Sequence, residues 1–111
     1  MQRLATYGTL RPGERNHGQV SGLRGQWLQG SVRGHLLDAG WGAGYGFPGL
    51  VLDDGGGSIP VAVLESPDLD AHWGRLDEFE GDEYRRVRVT VATDGGSVEA
   101  FIYVVAPEIA G

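Results

Sequence analysis

The chain has 111 residues, 41% of them hydrophobic, which is enough for one packed core and too few for two domains. Its formal net charge of −6, from 15 acidic and 9 basic residues, argues against non-specific nucleic-acid binding, because phosphates demand a basic surface. No apolar run reaches the roughly 18 residues that a membrane span needs, and the absence of cysteine excludes disulfides, thiolate chemistry and cysteine-based zinc sites. The opening residues, MQRLATYGTL, lack the long apolar core of a signal peptide. The expectation is one cytoplasmic domain over residues 1–111, with no nucleic-acid or membrane partner and an oligomeric state that the sequence leaves open.

In chain order, Arg3 to Thr6 reads as a short strand that turns at Tyr7-Gly8. Gly8, Pro12 and Gly13 keep the next stretch irregular. Asn16 is a candidate N-cap for a short helix running towards Leu23, weakened by Gly18 and Gly22. Gln26 to Asp38 reads as a strand interrupted by Gly30 and Gly34, which predicts a bend with a bulge. Gly40 to Gly49 places Trp41, Tyr45 and Phe47 between glycines, either as an adaptable wall over a pocket or as a loop tucked over the core.

Leu50 to Leu52 is a short strand, Asp53 to Gly57 a turn, and Ser58 to Leu64 a further strand with Pro60 at its start or on an edge. Arg86 to Ala92 alternates Val87, Val89 and Val91 with Arg88 and Thr90, so one face is buried and the other wet. Asp94-Gly95-Gly96 is a hairpin turn, and Val98 to Val105 returns as the partner strand.

Between these strands, Asp68 to Glu80 carries the helical period, with Pro67 suited to its first turn. Leu69, Trp73 and Leu76 recur at i, i+4 and i+7, and Glu80 falls about 20° from the centre of the same stripe. Asp70, Asp77 and Glu78 project to the sides or back, towards water. Gly81 offers a stop, since glycine accepts the left-handed conformation that ends helices. Glu80 is thus expected as the last helical residue. A carboxylate that continues an apolar stripe is either aimed inward, where its burial calls for a reason, or is an ordinary solvated helix-end glutamate. The three histidines, His17, His35 and His72, have no metal-ligand spacing, so no metal site is expected. Five or six strands with one good helix and one poor one give the fold class α+β and suggest a small mixed β-barrel, closed or partly closed, flanked by one or two main helices.

The motifs Tyr7-Gly8-Thr9-Leu10, followed by Arg11 to His17, and Leu76-Asp77-Glu78-Phe79-Glu80 with Gly81 and Tyr84-Arg85-Arg86, together resemble the gamma-glutamylcyclotransferase-like family. The Gly13 and Asn16-His17 spacing is most similar to its gamma-glutamylamine cyclotransferase and AIG2-like branch. Phe47-Pro48-Gly49-Leu50-Val51 also resembles the loop before the family's central strands. The resemblance covers nearly the whole chain and implies the family's small barrel.

It further implies a cofactor-free reaction on a small-molecule gamma-glutamyl amide, giving pyroglutamate and a free amine. Glu80 would then be general base and acid, and the backbone of Gly8, Thr9 and Leu10 would hold the substrate's alpha-carboxylate. Tyr7 either belongs to that binding loop or is packed in the core. Arg85 or Arg86 would contact an anionic substrate or pair with Glu78, Asp82 or Glu83. Tyr103 would point into a pocket or sit in the core with its hydroxyl at the surface, and His17 would support the first loop. Two other readings remain in view: a non-catalytic module binding a glutamyl-like carboxylate, and a lyase or acyltransferase working on a gamma-glutamylated biosynthetic intermediate.

Overall fold

Among the described residues, alternating patterns build six strands, and the helical period builds one α-helix. The computed structural model describes residues 2–8, 10–37 and 49–106. Its strands are β1 (Gln2–Thr6), β2 (Gln26–Leu37), β3 (Gly49–Leu52), β4 (Gly57–Ser66), β5 (Tyr84–Thr93) and β6 (Gly96–Val105), with helix α1 (Leu69–Glu80) between β4 and β5. The weak helix expected after Asn16 is a 3₁₀ turn over His17–Gln19, and Asn16 makes no side-chain cap there.

The strand order is β3-β2-β4-β1-β6-β5, and a further pairing of β2 with β5 closes the sheet. Five strands therefore make the closed barrel. β3 lies outside the ring, on the β2 edge that β5 also uses: Gly34 pairs with both Leu52 and Gly57, and Gly30 with both Val61 and Thr93. The sheet is mixed, because β1 and β6 run parallel while the other pairs are antiparallel. Pro60 occupies an edge-like place, since β1 covers β4 only from Ala62 to Ser66.

The period of two along each strand divides the core into two layers. Ala5, Val32, Leu50, Val61, Val63, Val91, Ala100 and Ile102 fill the barrel. Their neighbours Leu4, Leu64, Tyr103 and Val105 face outward and meet Leu69, Trp73 and Leu76 of α1. Leu69 and Leu76 are fully buried, each contributing roughly 1.5–3 kcal/mol relative to exposure. The apolar stripe is what docks the helix.

No bulge interrupts β2. Its register with β4 runs unbroken from Gln26 opposite Glu65 to Gly34 opposite Gly57. The glycines serve close approach instead. A Cβ at Gly30 would lie 2.6 Å from Val91 Cγ1 and 2.7 Å from the Ala92 carbonyl oxygen, so a bare backbone is what lets β5 reach β2.

The helix starts at Leu69, with Pro67 in the preceding turn rather than inside the first turn. The Asp68 carboxylate accepts bonds from the Arg24 backbone N–H (2.8 Å) and guanidinium (2.8 Å), tying the loop after the 3₁₀ turn to the helix start. Those bonds from Arg24 hold the Asp68 carboxyl at about 2, below its ordinary value. At the other end, Gly81 adopts φ 83° and its N–H closes on the Asp77 carbonyl at 3.0 Å, so the helix stops immediately after Glu80.

Candidate active site

β1 runs into Tyr7-Gly8, α1 ends at Glu80 and β5 begins at Tyr84, and Tyr7 interacts with both Glu80 and Tyr84, so these three element ends lie near one another. Glu80, the last residue of α1, is half-buried there. Burial pushes its carboxyl up to about 7 from an ordinary 4.5, because removal from water penalises the charged form. At that value the group holds and releases a proton with comparable ease near neutrality.

Tyr7 continues the inward-facing alternation of β1 and packs against the barrel interior. Its hydroxyl donates to the Tyr103 carbonyl (2.8 Å) and accepts from the Leu50 N–H (3.1 Å). Burial raises its pKa well above the ordinary phenol value, and the nearby Tyr84 and Glu80 add to the shift. Tyr7 is therefore a neutral phenol joining β1, β3 and β6, close enough to Glu80 for the two to interact.

After Tyr7 the chain turns. The Gly8 carbonyl accepts from the Arg11 N–H and from Arg11 Nε, both at 3.2 Å. Leu10 buries its side chain in the layer under α1, and its carbonyl accepts from His17 Nδ1 at 2.9 Å. His17 thus braces the loop, and at Leu10 the backbone rather than the side chain is the part suited to a ligand. Thr9 lies outside the described residues, as do Asp38, Trp41, Tyr45, Phe47 and Pro48. Among the described residues, no group of three or more His, Asp or Glu gathers in a way that would hold a metal ion.

Several polar side chains sit differently from the sequence expectation. Asp77 is exposed, yet more than a solvated helix-side acid. Its Oδ1 accepts from the Tyr103 hydroxyl (2.7 Å) and from Arg86 Nε (2.9 Å). Arg86 therefore pairs with Asp77 rather than with Glu78, Asp82 or Glu83, and its guanidinium lies 4.5 Å from the Trp73 ring centroid and 5.0 Å from that of Phe101. Partial burial would raise the Asp77 carboxyl, but the bonds from Arg86 and Tyr103 outweigh it and hold the carboxyl below its ordinary value. Arg85 donates to the Asp82 carbonyl at 2.9 Å. Tyr103 is buried in the core layer and reaches Asp77 with its hydroxyl; burial and that bond raise its pKa far above the ordinary phenol value. Asp77, Asp82, Tyr84, Arg85, Arg86 and Tyr103 line an open groove of about 300 Å³ beside the helix end.

The Arg86–Tyr103 relationship had a readable signal. A two-residue turn at Asp94-Gly95 fixes the hairpin register, and that register places Arg86 opposite Tyr103.

Comparison with known proteins agrees with this architecture. The sequence profile described as "Gamma-glutamyl cyclotransferase, AIG2-like" matches residues 4–111. Among solved structures the chain is similar to YkqA from Bacillus subtilis, with 32% identity and a TM-score of 0.73 over 94% of this chain and 35% of that one. This chain therefore spans about a third of the length of YkqA. It is also similar to an AIG2-like protein from Mus musculus (25% identity, TM-score 0.64, 97% of this chain and 81% of that one). A protein titled "Gamma-glutamyl cyclotransferase" shares the fold at 17% identity and a TM-score of 0.59, over 95% of this chain and 66% of that one. No curated protein matches the sequence. With the profile spanning all but the first three residues, the chain belongs to the gamma-glutamyl cyclotransferase, AIG2-like family.

Proposed function

We propose that this protein is a gamma-glutamyl cyclotransferase, which closes a gamma-glutamyl amide into pyroglutamate and releases a free amine. The substrate's own alpha-nitrogen attacks its gamma-carbonyl carbon, a five-membered ring C–N bond forms, and the original amide C–N bond breaks. Glu80 accepts the proton that the alpha-nitrogen must lose and returns a proton to the departing amine, so the carboxylate is regenerated. The Tyr7–Leu10 loop supplies the positioning. Backbone N–H groups at Gly8, Thr9 and Leu10 would hold the alpha-carboxylate and thereby fix the amine near the carbonyl it attacks. The chemistry uses no metal or cofactor.

The observation that carries this reading is the half-buried Glu80 carboxyl, raised to about 7 at the end of a rigid helix and next to the loop that opens at Tyr7. A module that only bound a carboxylate would have no use for a desolvated acid at that place. The test is pyroglutamate release from a panel of gamma-glutamyl amides, comparing wild type with Glu80→Gln. Wild type is expected to turn over at least one member, and the folded variant to lose about 10²–10⁴-fold in kcat. Wild type that binds glutamyl ligands without turnover would return the protein to the binding-module reading.

A further inference from the structure

The last turn of α1 is unfavourable for a helix taken alone. It carries Asp77, Glu78 and Glu80, and no basic residue. Acids at a helix C-terminus oppose the helix dipole. Docking does not need them, because Leu69, Trp73 and Leu76 already bury the stripe. One of these acids, Asp77, nevertheless holds a built arrangement one turn before Glu80.

Its Oδ1 accepts from Tyr103 at 2.7 Å and from Arg86 Nε at 2.9 Å, and its Oδ2 accepts from Arg86 Nη2 at 3.3 Å. Arg86 is itself fixed over the rings of Trp73 and Phe101. The Asp77 carbonyl receives the Gly81 N–H that ends the helix at Glu80. Tyr103 completes the connection from the other side, since its carbonyl accepts the Tyr7 hydroxyl at 2.8 Å. One residue of β6 thus grips the helix turn bearing Glu80 with its side chain, and the first residue of the Tyr7–Leu10 loop with its backbone.

We infer that Tyr103, Asp77 and Arg86 form a positioning unit that sets the Glu80 carboxyl against the Tyr7–Leu10 loop. This inference rests on the cyclotransferase reading for its effect on turnover, and on geometry alone for its effect on Glu80. The unit acts on turnover through Glu80. It fixes the distance between the proton-transfer group and the loop, a quantity to which a near-attack geometry is sensitive. The ionisable groups that interact with Glu80 include Tyr7 from the end of β1 and Tyr103 from β6; Tyr84 of β5 faces Tyr7, and Asp77 lies one turn earlier on the same helix.

The experiment uses Tyr103→Phe, which keeps the ring and the carbonyl bond to Tyr7 and removes only the hydroxyl. Asp77→Asn is the second variant, and the double variant completes a cycle. Two readouts are taken: the Glu80 titration by NMR of ¹³C-labelled glutamate, assigned with Glu80→Gln, and kcat and KM for pyroglutamate release. Loosening the last turn admits water to Glu80, so each single variant is expected to lower its midpoint by about half a unit or more. The expected loss in kcat is about 10–100-fold with KM within about threefold, and the double variant loses little beyond either single one. An unchanged Glu80 midpoint in both folded variants overturns the inference, as does a kcat that falls only with the folded fraction. If wild type shows no turnover, the cyclotransferase reading fails by itself, and the NMR titration still decides whether the unit positions Glu80.

Discussion

The Tyr7 hydroxyl donates to the Tyr103 carbonyl at 2.8 Å, joining the end of β1 to β6 across nearly the whole length of the chain. The same oxygen accepts the Leu50 N–H at 3.1 Å, and Leu50 is fully buried. Tyr7→Phe leaves both backbone groups without that partner. The expected loss is about 1–3 kcal/mol, because an unsatisfied buried group keeps its desolvation penalty. Urea unfolding should show a lower midpoint with an unchanged slope. An unchanged midpoint would mean that water replaces the hydroxyl, and that Tyr7 is at the surface in practice.

Gly30 makes a second, purely steric prediction. Its missing Cβ is the space in which Val91 Cγ1 and the Ala92 carbonyl sit. The side chain of Val91 can turn away, but the Ala92 oxygen is backbone and moves only if β5 moves. Gly30→Ala should therefore destabilise by roughly 1–3 kcal/mol, the usual range for overpacking. Gly18→Ala, where a Cβ meets nothing within 4 Å, is the control and should be nearly neutral. Equal stability of the two variants would show that the β2–β5 seam has slack.

The parts of this structure that were legible in the sequence depend on short-range regularity. The stripe of Leu69, Trp73 and Leu76, the stop at Gly81, and the position of Glu80 as the final helical residue all follow from a period and a glycine. The β5–β6 hairpin follows from its turn. What was not legible depends on contacts between distant segments. Gly30 and Gly34 signalled an irregularity in β2, but a bulge and a close strand crossing leave the same mark, and only the position of β5 distinguishes them. Asp77 looked like a solvated helix-side acid because its partners, Arg86 and Tyr103, come from strands later in the chain. The partners of Tyr7 are just as distant in the chain, and the fold packs it against the barrel with its hydroxyl bonded to the Tyr103 carbonyl.

If Glu80 is the general base, its carboxylate form must be present for the reaction to begin. With the carboxyl held at about 7, kcat/KM should rise about tenfold per pH unit below that value and level off above it. The check is initial-rate measurement of pyroglutamate release across this range with the best substrate of the panel. A profile already level from about pH 5 upward would assign the base to a carboxylate of ordinary pKa.

The same desolvation has a stability consequence that needs no substrate. In the unfolded chain Glu80 ionises near 4.5, and in the fold near 7. Below the lower value it is neutral in both states and does not oppose folding. As pH rises through the upper value, the unfolded chain has already released its proton, so the native state loses the advantage it had when the group was neutral. Relative to Glu80→Gln, wild type should therefore lose on the order of 3 kcal/mol between acid and mildly alkaline pH. Paired urea titrations at about pH 4 and about pH 8 read this directly. The variant is expected to match wild type at the lower pH and exceed it at the higher, a gain in stability at the expense of activity. Curves that stay parallel at both values would place Glu80 in water and remove the physical ground for its assignment as the base.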